Sequence, residues 1–362
     1  MTNFVKLAVI LTAVPFFALL FINHWPVDAQ TSTQTAKVET AGERFKNIKV
    51  LNDMPADQLG RVMNIMSASL GVKCSFCHNT ENFSSDEKRN KQTARNMIKM
   101  TFDINKNNFN GRPQVSCNTC HNGSEHPQAS PDLKPEPEPE RPAQPETKPT
   151  VDEIIGKYVT ALGGSVKLAA VKTRLVKANR IEPGGAVVEP ETIWFDGNKY
   201  ALETVYSQET VSEGFNGTDA WKTGGGKLIG LRADEREQIK READLFMPAN
   251  IKSIYSQMDY RLVDLVDGKP AYLVTATTAG GARERLYFDV QTGLLVRRAV
   301  SNATVLGPFV YQVDYKDYKL FAGVKVPTTI EYSMPNIRWT RKVTQVRNNT
   351  PVDAAKFNAP AK

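Results

Sequence analysis

Two segments of the same form, Cys74-Ser-Phe-Cys77-His78 and Cys117-Asn-Thr-Cys120-His121, decide how this sequence is interpreted. They contain all four cysteines of the chain and two of its four histidines. Two cysteine sulfurs three positions apart can form thioether bonds to the two vinyl groups of one haem, and the adjacent histidine can then bind the iron. The spacing therefore predicts two covalently attached haem c groups.

Three other uses of paired cysteines compete with this interpretation. Four cysteines in two pairs can bind one zinc ion, although the two adjacent histidines then have no role and the 39 residues between the pairs are many for a zinc ribbon. Each pair can instead form a disulfide, which suits an exported chain. Thiol redox chemistry is the third alternative, but no βαβ pattern surrounds the cysteines.

Each haem iron needs a second axial ligand or an open position. After signal cleavage His126 is the only spare histidine, so the two haems cannot both have two histidine ligands. Methionine is the other common ligand, and five methionines lie near the motifs. They are Met54, Met63, Met66, Met97 and Met100.

Two amphipathic helices are predicted to carry these methionines. The first runs from Pro55 to Leu70 and ends at Gly71, and the second runs from about Ser85 to Ile104. The first helix is predicted to face the core with Leu59, Val62, Met63, Met66 and Leu70. The second is predicted to do so with Ala94, Met97, Ile98, Thr101 and Ile104. The pattern alone does not separate Met63 from Met66, or Met97 from Met100, and core packing is the other use of each.

The segment from Lys49 to Pro127 resembles the cytochrome subunit of photosynthetic reaction centres. The resemblance includes both motifs and the residues between them. The matching stretches are Leu51-Asn-Asp-Met54-Pro, Ser69-Leu-Gly-Val-Lys-Cys74, Lys91-Gln-Thr-Ala-Arg95-Asn-Met97-Ile-Lys-Met100 and Val115-Ser-Cys117. The resemblance implies electron transfer, with Met63 as the sixth ligand of the first haem and Met97 as that of the second.

The chain also differs from that family. It has two attachment motifs where the family has four, and no histidine lies between Lys106 and Gln114, where the family places a ligand for another haem. The segment is therefore predicted to be one haem-pair unit used alone, which identifies no particular partner.

The first residues predict export. Lys6 is the only charged residue among the first 27, and an apolar run of 16 residues follows from Leu7 to Ile22. Cleavage after Ala29 is expected, with an uncleaved anchor as the alternative. Sixteen helical residues span about 24 Å, less than the ~30 Å hydrocarbon core. The rest of the chain is expected in the periplasm or on the extracellular side of the membrane.

The predicted domain order follows from changes in composition. A signal peptide or anchor (1–29) and a flexible lead (30–48) precede a mainly α di-haem cytochrome domain (49–127). A proline-rich linker (128–150), predicted to be a simple tether, then leads to a mainly β domain (151–362). From Gly123 to Thr150, 8 of 28 residues are proline, which favours extended chain.

The last 212 residues predict antiparallel strands. Asp196-Gly197, Asp267-Gly268 and Gln291-Thr-Gly293 each separate two strand-like runs, which predicts three hairpins. Further strands are predicted near 309–315, 324–332 and 338–346, and helices at Val151 to Leu162 and Ala233 to Phe246. This half has no cysteine and no histidine, which excludes a catalytic triad with a histidine base.

This order of elements is similar to the half-open barrel of periplasmic lipoprotein carriers. The similarity implies a concave apolar face that holds a lipid-like ligand or a partner. The other interpretation is a docking module whose apolar residues fill only its own core.

We therefore expect an electron carrier that passes electrons to a redox protein or a membrane electron-transfer complex. Its alternatives are a di-haem enzyme such as a peroxidase, which needs an open iron position, and a haem-containing binding or sensor protein. The net charge of +7 is too small and too scattered to indicate nucleic acid binding.

Overall fold

A computed structural model describes residues 38–130, 140–243 and 247–360. The predicted signal peptide or anchor lies outside these residues, as do 131–139 of the linker. From Glu39 onward the chain forms one compact unit.

Four helices form the first part of this unit. They are α1 (Ala41–Arg44), α2 (Leu59–Leu70), α3 (Arg89–Asn108) and α4 (Cys117–His121). The prediction for α2 is confirmed: a 3₁₀ turn at Ala56–Gln58 leads into it, and Gly71 ends it in the left-handed region with φ of 67°. A residue with a side chain is excluded there, because a Cβ on Gly71 would lie 2.3 Å from the carbonyl oxygen of Gly123.

Helix α3 begins and ends four residues later than predicted. Residues 85–87 are held in a loop, where the Asp86 carboxylate pairs with the side chains of Lys49 and Arg95. At the other end, the Asn105 side chain binds both the N–H and the C=O of Val115, at 2.9 and 2.7 Å. These tertiary contacts determine where α3 begins and ends. The apolar periodicity of the sequence carries no information about them, so the predicted ends were four residues off.

The second part begins with two helices and continues as one antiparallel sheet. The helices are α5 (Val151–Leu162), which matches the prediction, and α6 (Ser165–Ala170). Thirteen strands follow in the spatial order β6-β5-β4-β3-β2-β1-β13-β12-β11-β10-β9-β8-β7. Their bounds are β1 Thr173–Ile181, β2 Val188–Asp196, β3 Lys199–Val205, β4 Thr210–Phe215, β5 Ala220–Gly224, β6 Lys227–Leu228, β7 Tyr255–Val266, β8 Lys269–Thr278, β9 Arg283–Asp289, β10 Leu295–Thr304, β11 Gly307–Phe321, β12 Val324–Ser333 and β13 Arg338–Asn348.

The three predicted hairpins are confirmed. Asp196 pairs with Lys199, Val266 pairs with Lys269, and Leu295 pairs with Phe288. The later strands are also present, each extending beyond its predicted bounds. The mainly β, antiparallel fold class is therefore confirmed.

Between β6 and β7 the described residues are helical over two ranges. Helix α7 (Ala233–Ala243) covers the described part of the predicted helix, whose predicted end at Phe246 lies outside the described residues. Helix α8 (Met247–Ile254) was not predicted, because eight residues are too few for periodicity to identify a helix.

Helices pack on the sheet at two places. Helices α5 and α8 bury Ile155 and Ile251 against Val274, Leu286 and their neighbours. Helix α7 buries Ile239 and Ala243 against strands β1 to β4. Each fully buried aliphatic side chain contributes about 1.5–3 kcal/mol, so these two contacts fix the helices on the sheet.

The described part of the linker is hydrogen-bonded to the sheet. The Gln144 side chain accepts a hydrogen bond from the Val263 N–H at 2.7 Å and donates one to the Val263 C=O at 2.8 Å. Val263 belongs to β7, an edge strand whose outer backbone groups need partners. The prediction of a simple tether is therefore wrong for this part of the linker.

Candidate functional site

The first motif opens onto a cavity of about 500 Å³. Cys74, Cys77 and His78 form one wall, and the predicted inner face of α2 forms another. The remaining walls come from the segment before α2 and from α3. The apolar lining residues are Phe45, Ile48, Val50, Leu51, Leu59, Met63, Met66, Leu70, Val72, Phe83, Ala94 and Ile98.

A backbone carbonyl orients the His78 ring. Nδ1 of His78 lies 3.3 Å from the Phe83 carbonyl oxygen, to which it donates in the tautomer with a proton on Nδ1. In that tautomer Nε2 carries the lone pair, as in histidines that bind metals. Burial lowers the pKa of His78, which favours the neutral ring, and burial raises the pKa of the Cys77 thiol.

The second motif orients its histidine in the same way. Nδ1 of His121 lies 3.0 Å from the Ser124 carbonyl oxygen. Helix α4 begins at Cys117, where the Ser116 N–H donates to the Thr119 hydroxyl at 3.0 Å. Cys120 is exposed, whereas Cys117 is partly buried, and burial raises the pKa of its thiol.

The second attachment segment is fastened to α2. The Gly123 N–H donates to the Ser69 carbonyl at 2.8 Å, close to the end of α2. The two motifs therefore share one supporting helix: its side chains line the first cavity, and its last turn holds the loop after the second motif.

Sequence reasoning was wrong about the inner face of α3. Met97 and Met100 are exposed, at 39% and 43%, whereas the core-facing row is formed by other residues. That row is Lys91, Arg95, Ile98, Thr101 and Asn105. Ile98 and Thr101 were predicted to face the core and do so. Met97 was also predicted there, but the buried positions are instead completed by polar side chains that have tertiary partners.

A charged cluster beside the first cavity was missed from the sequence. The Asp86 carboxylate pairs with Lys49, Lys91 and Arg95, at 2.9, 3.2 and 2.9 Å. Hydrogen bonds from Arg95 and then from Lys49 hold the pKa of the Asp86 carboxyl well below its ordinary value of 3.8. Lys91 is buried and also donates to the Phe83 carbonyl at 2.9 Å, so this cluster fixes the oxygen that binds His78.

Two of the alternative uses of the cysteines find no support in the described residues. All four thiols are free. Within ranges 38–130, 140–243 and 247–360, no three His, Cys, Asp or Glu side chains meet in a group that could hold a metal ion. The thiols do not converge as one zinc site of four cysteines requires.

The sheet borders a second cavity, of about 530 Å³. Strands β1 to β5 and β10 to β13, helix α7 and the outer face of α2 surround it. Its lining contains paired charges such as Arg341–Glu191 and Lys222–Glu213, together with several tyrosines. Such a lining is more polar than the apolar face that the sequence predicted.

Among the described residues, no helix has the length and apolar character needed to cross a membrane.

Comparison with known proteins relates the first part of the chain to cytochromes. The family described as photosynthetic reaction centre cytochrome C subunit matches residues 21–164. Cytochrome c-554 of Chloroflexus aurantiacus is 39% identical over 84 residues, which cover 22% of this chain and 20% of that protein. The photosynthetic reaction center cytochrome c subunit of Roseobacter denitrificans is 35% identical over 99 residues, which cover 25% and 27%. The chain thus spans about a fifth to a quarter of the length of these relatives.

Solved structures similar to this chain match its second part. A LolA superfamily protein from Nitrosomonas europaea aligns with a TM-score of 0.41 at 12% identity, covering 58% of this chain and 98% of that one. A DUF1329 family protein from Desulfovibrio piger aligns with a TM-score of 0.40 at 10% identity, covering 57% and 97%.

Proposed function

We propose, on the premise that residues 21–164 belong to the photosynthetic reaction centre cytochrome c subunit family, that this chain is a di-haem electron-transfer protein. The family accounts for covalent haem c. The observation that supports the number two is the repeated arrangement: both Cys-x-x-Cys-His segments place the histidine Nδ1 on a backbone carbonyl. When bound, haem c supplies an iron that gains and loses one electron.

In this proposal Cys74 and Cys77 hold the first haem and His78 binds its iron. The apolar cavity of about 500 Å³ supports this, because its lining excludes water from a largely apolar macrocycle. Met63 is the proposed sixth ligand and Met66 the alternative; both side chains line the cavity.

Cys117, Cys120 and His121 are proposed to hold the second haem, with Met97 as sixth ligand and Met100 as its alternative. The exposure of Met97 and Met100 supports this, since solvent-facing methionines on one stretch of a helix have no partner in the protein core. The side of α3 that carries these two methionines is therefore available to the haem.

Export and the partner are part of the proposal. The apolar segment from Leu7 to Ile22 supports export to the periplasm or the extracellular side. The family supports a redox protein or a membrane electron-transfer complex as partner. The β domain is proposed to serve docking, and the polar lining of its cavity gives less support to the lipid-like ligand.

One observation favours a second candidate, a redox enzyme such as a di-haem peroxidase. Met97, the proposed sixth ligand of the second haem, is 39% exposed, so water or a small substrate can reach it. An enzyme of this kind needs one iron with a ligand that the substrate can displace. A sensor or binding protein would also need an iron that its ligand can reach.

A spectroelectrochemical titration of the holoprotein tests the proposal. We expect two reversible one-electron steps, with both haems low-spin in each oxidation state, because each iron has two protein ligands. The control is a separate addition of hydrogen peroxide to the fully ferric protein, which should leave the ferric spectrum unchanged. A high-spin haem that reacts with peroxide would contradict electron transfer as the function and favour the enzyme.

A further inference from the structure

We propose that the β domain is a positioning scaffold for the haems, acting through the turn between β10 and β11, which inserts into the cytochrome helices and fixes the segment that begins the second attachment site. This inference rests on the proposed function and goes beyond it, because it assigns the β domain a role inside the cytochrome rather than only toward a partner.

The turn places one residue in the cytochrome core. Leu306 is 0% exposed and belongs to the same buried cluster as Val62 of α2 and Ile98 of α3. Cys117, a proposed thioether residue of the second haem, packs against this cluster. Its neighbour in the turn, Val305, is 37% exposed, so the insertion is specific to one side chain.

Hydrogen bonds within the turn hold it in shape. The Thr304 hydroxyl donates to the Gly307 carbonyl at 2.6 Å and accepts from the Leu306 N–H at 3.3 Å. Thr304 is itself buried. The Leu306 side chain is therefore presented by a preformed turn at the end of a long hairpin.

The backbone of the turn also abuts the second attachment segment. Gly307 has φ of +119°, and a Cβ placed on it would lie 3.0 Å from the Cβ of Ser116. Ser116 directly precedes Cys117 and caps helix α4. Leu306 and Gly307 thus lie beside the segment that begins the second attachment site.

A separate group of contacts fixes α2 on the same sheet. Arg61 forms an ion pair with Asp234 of α7, and its guanidinium lies 5.5 Å from the centre of the Phe309 ring of β11. Asn336 donates to the Asn64 side chain at 2.9 Å. Arg61 and Asn64 lie on the face of α2 that lines the polar cavity, while Met63 lines the first haem cavity.

The β domain therefore holds elements of both haem sites: α2, which carries Met63, and the segment that leads into Cys117. In this arrangement the cytochrome helices are held on the sheet and do not move on a tether. A redox partner must therefore bind close to the haems in this fixed position.

The test compares Leu306→Ala with Val305→Ala in full-length holoprotein. Val305→Ala removes an exposed side chain from the same turn and serves as the matched control. For Leu306→Ala we expect both haems still to be covalently bound, with loss or shift of one of the two low-spin ferric signals in electron paramagnetic resonance. The methionine–iron charge-transfer band should lose up to half its intensity. Val305→Ala should match the wild type.

An unchanged spectrum for both haems in Leu306→Ala, with only a lower melting temperature, would overturn the positioning role. If Leu306→Ala does not mature, Leu306→Val provides the same comparison with a smaller cavity. Failure of the proposed function is distinguishable, because in that case the wild type itself lacks two low-spin haems.

Discussion

Substituting alanine for Met63 is expected to convert one of the two haems from low-spin to high-spin. Met63 lines the same cavity as Cys74, Cys77 and His78. Its removal takes away the proposed sixth ligand and leaves His78 as the only protein ligand of that iron. Haem content should stay at two per chain, because the thioether bonds do not involve methionine. Optical and paramagnetic resonance spectra of the ferric protein measure the change.

Met66→Ala is the matched control for this experiment. Met66 lies one turn further along α2 and lines the same cavity, so its loss removes the same volume without removing the proposed ligand. The opposite result, a high-spin haem in Met66→Ala and a low-spin spectrum in Met63→Ala, would assign Met66 instead. Low-spin spectra in both variants would contradict methionine ligation from this helix.

The largest effect on stability is expected at Glu191 in the sheet. Arg341 donates through Nε and through a second guanidinium nitrogen (3.1 Å) to Glu191, and through the third to the Tyr332 hydroxyl at 2.7 Å. Glu191 is 3% exposed and Arg341 8%. Burial alone would lower the pKa of Arg341, but Tyr332 and Glu191 raise it well above its ordinary value, so it stays charged.

Glu191→Gln leaves this guanidinium buried without its counter-charge, which should reduce the free energy of unfolding by about 3–5 kcal/mol. Chemical denaturation measures the change. Glu331→Gln is the control: Glu331 pairs with Lys316 at 3.0 Å, but both side chains are 37% exposed, and such pairs contribute about 0–1 kcal/mol. Equal losses in the two variants would contradict a structural role for the buried pair.

Local signals in the sequence predicted much of the fold. Asp196-Gly197 and Asp267-Gly268 each predicted a hairpin, and both hairpins are present. Asp267-Gly268 forms the two-residue loop of the second, whereas the loop of the first is Gly197-Asn198, one residue later than the predicted pair. The capping box formed by Thr150 and Glu153 starts α5, whose bounds match the prediction. The inner face of α2 was predictable because its apolar residues recur at regular helical spacing. These residues form an apolar wall of the first cavity.

The features that sequence reasoning missed depend on contacts between distant residues. Leu306 is one apolar residue in a hairpin turn, and nothing local shows that it completes the core of a segment more than 200 positions earlier. Lys91 and Arg95 occupy the inner row of α3 because the loop around Asp86 satisfies their charges. A periodicity of apolar residues scores such positions as solvent-facing, which is why Met97 was placed on the wrong face.

The haem content of the full chain, expressed with a c-type maturation system, tests the central claim most directly. The measurement is a pyridine haemochrome spectrum after acid–acetone extraction, expressed as haem per protein. We predict two haems retained per chain, and one in the variant with Cys117→Ala and Cys120→Ala. Release of all haem on extraction, or its absence from the purified protein, would contradict the account and return the paired cysteines to zinc or disulfide chemistry.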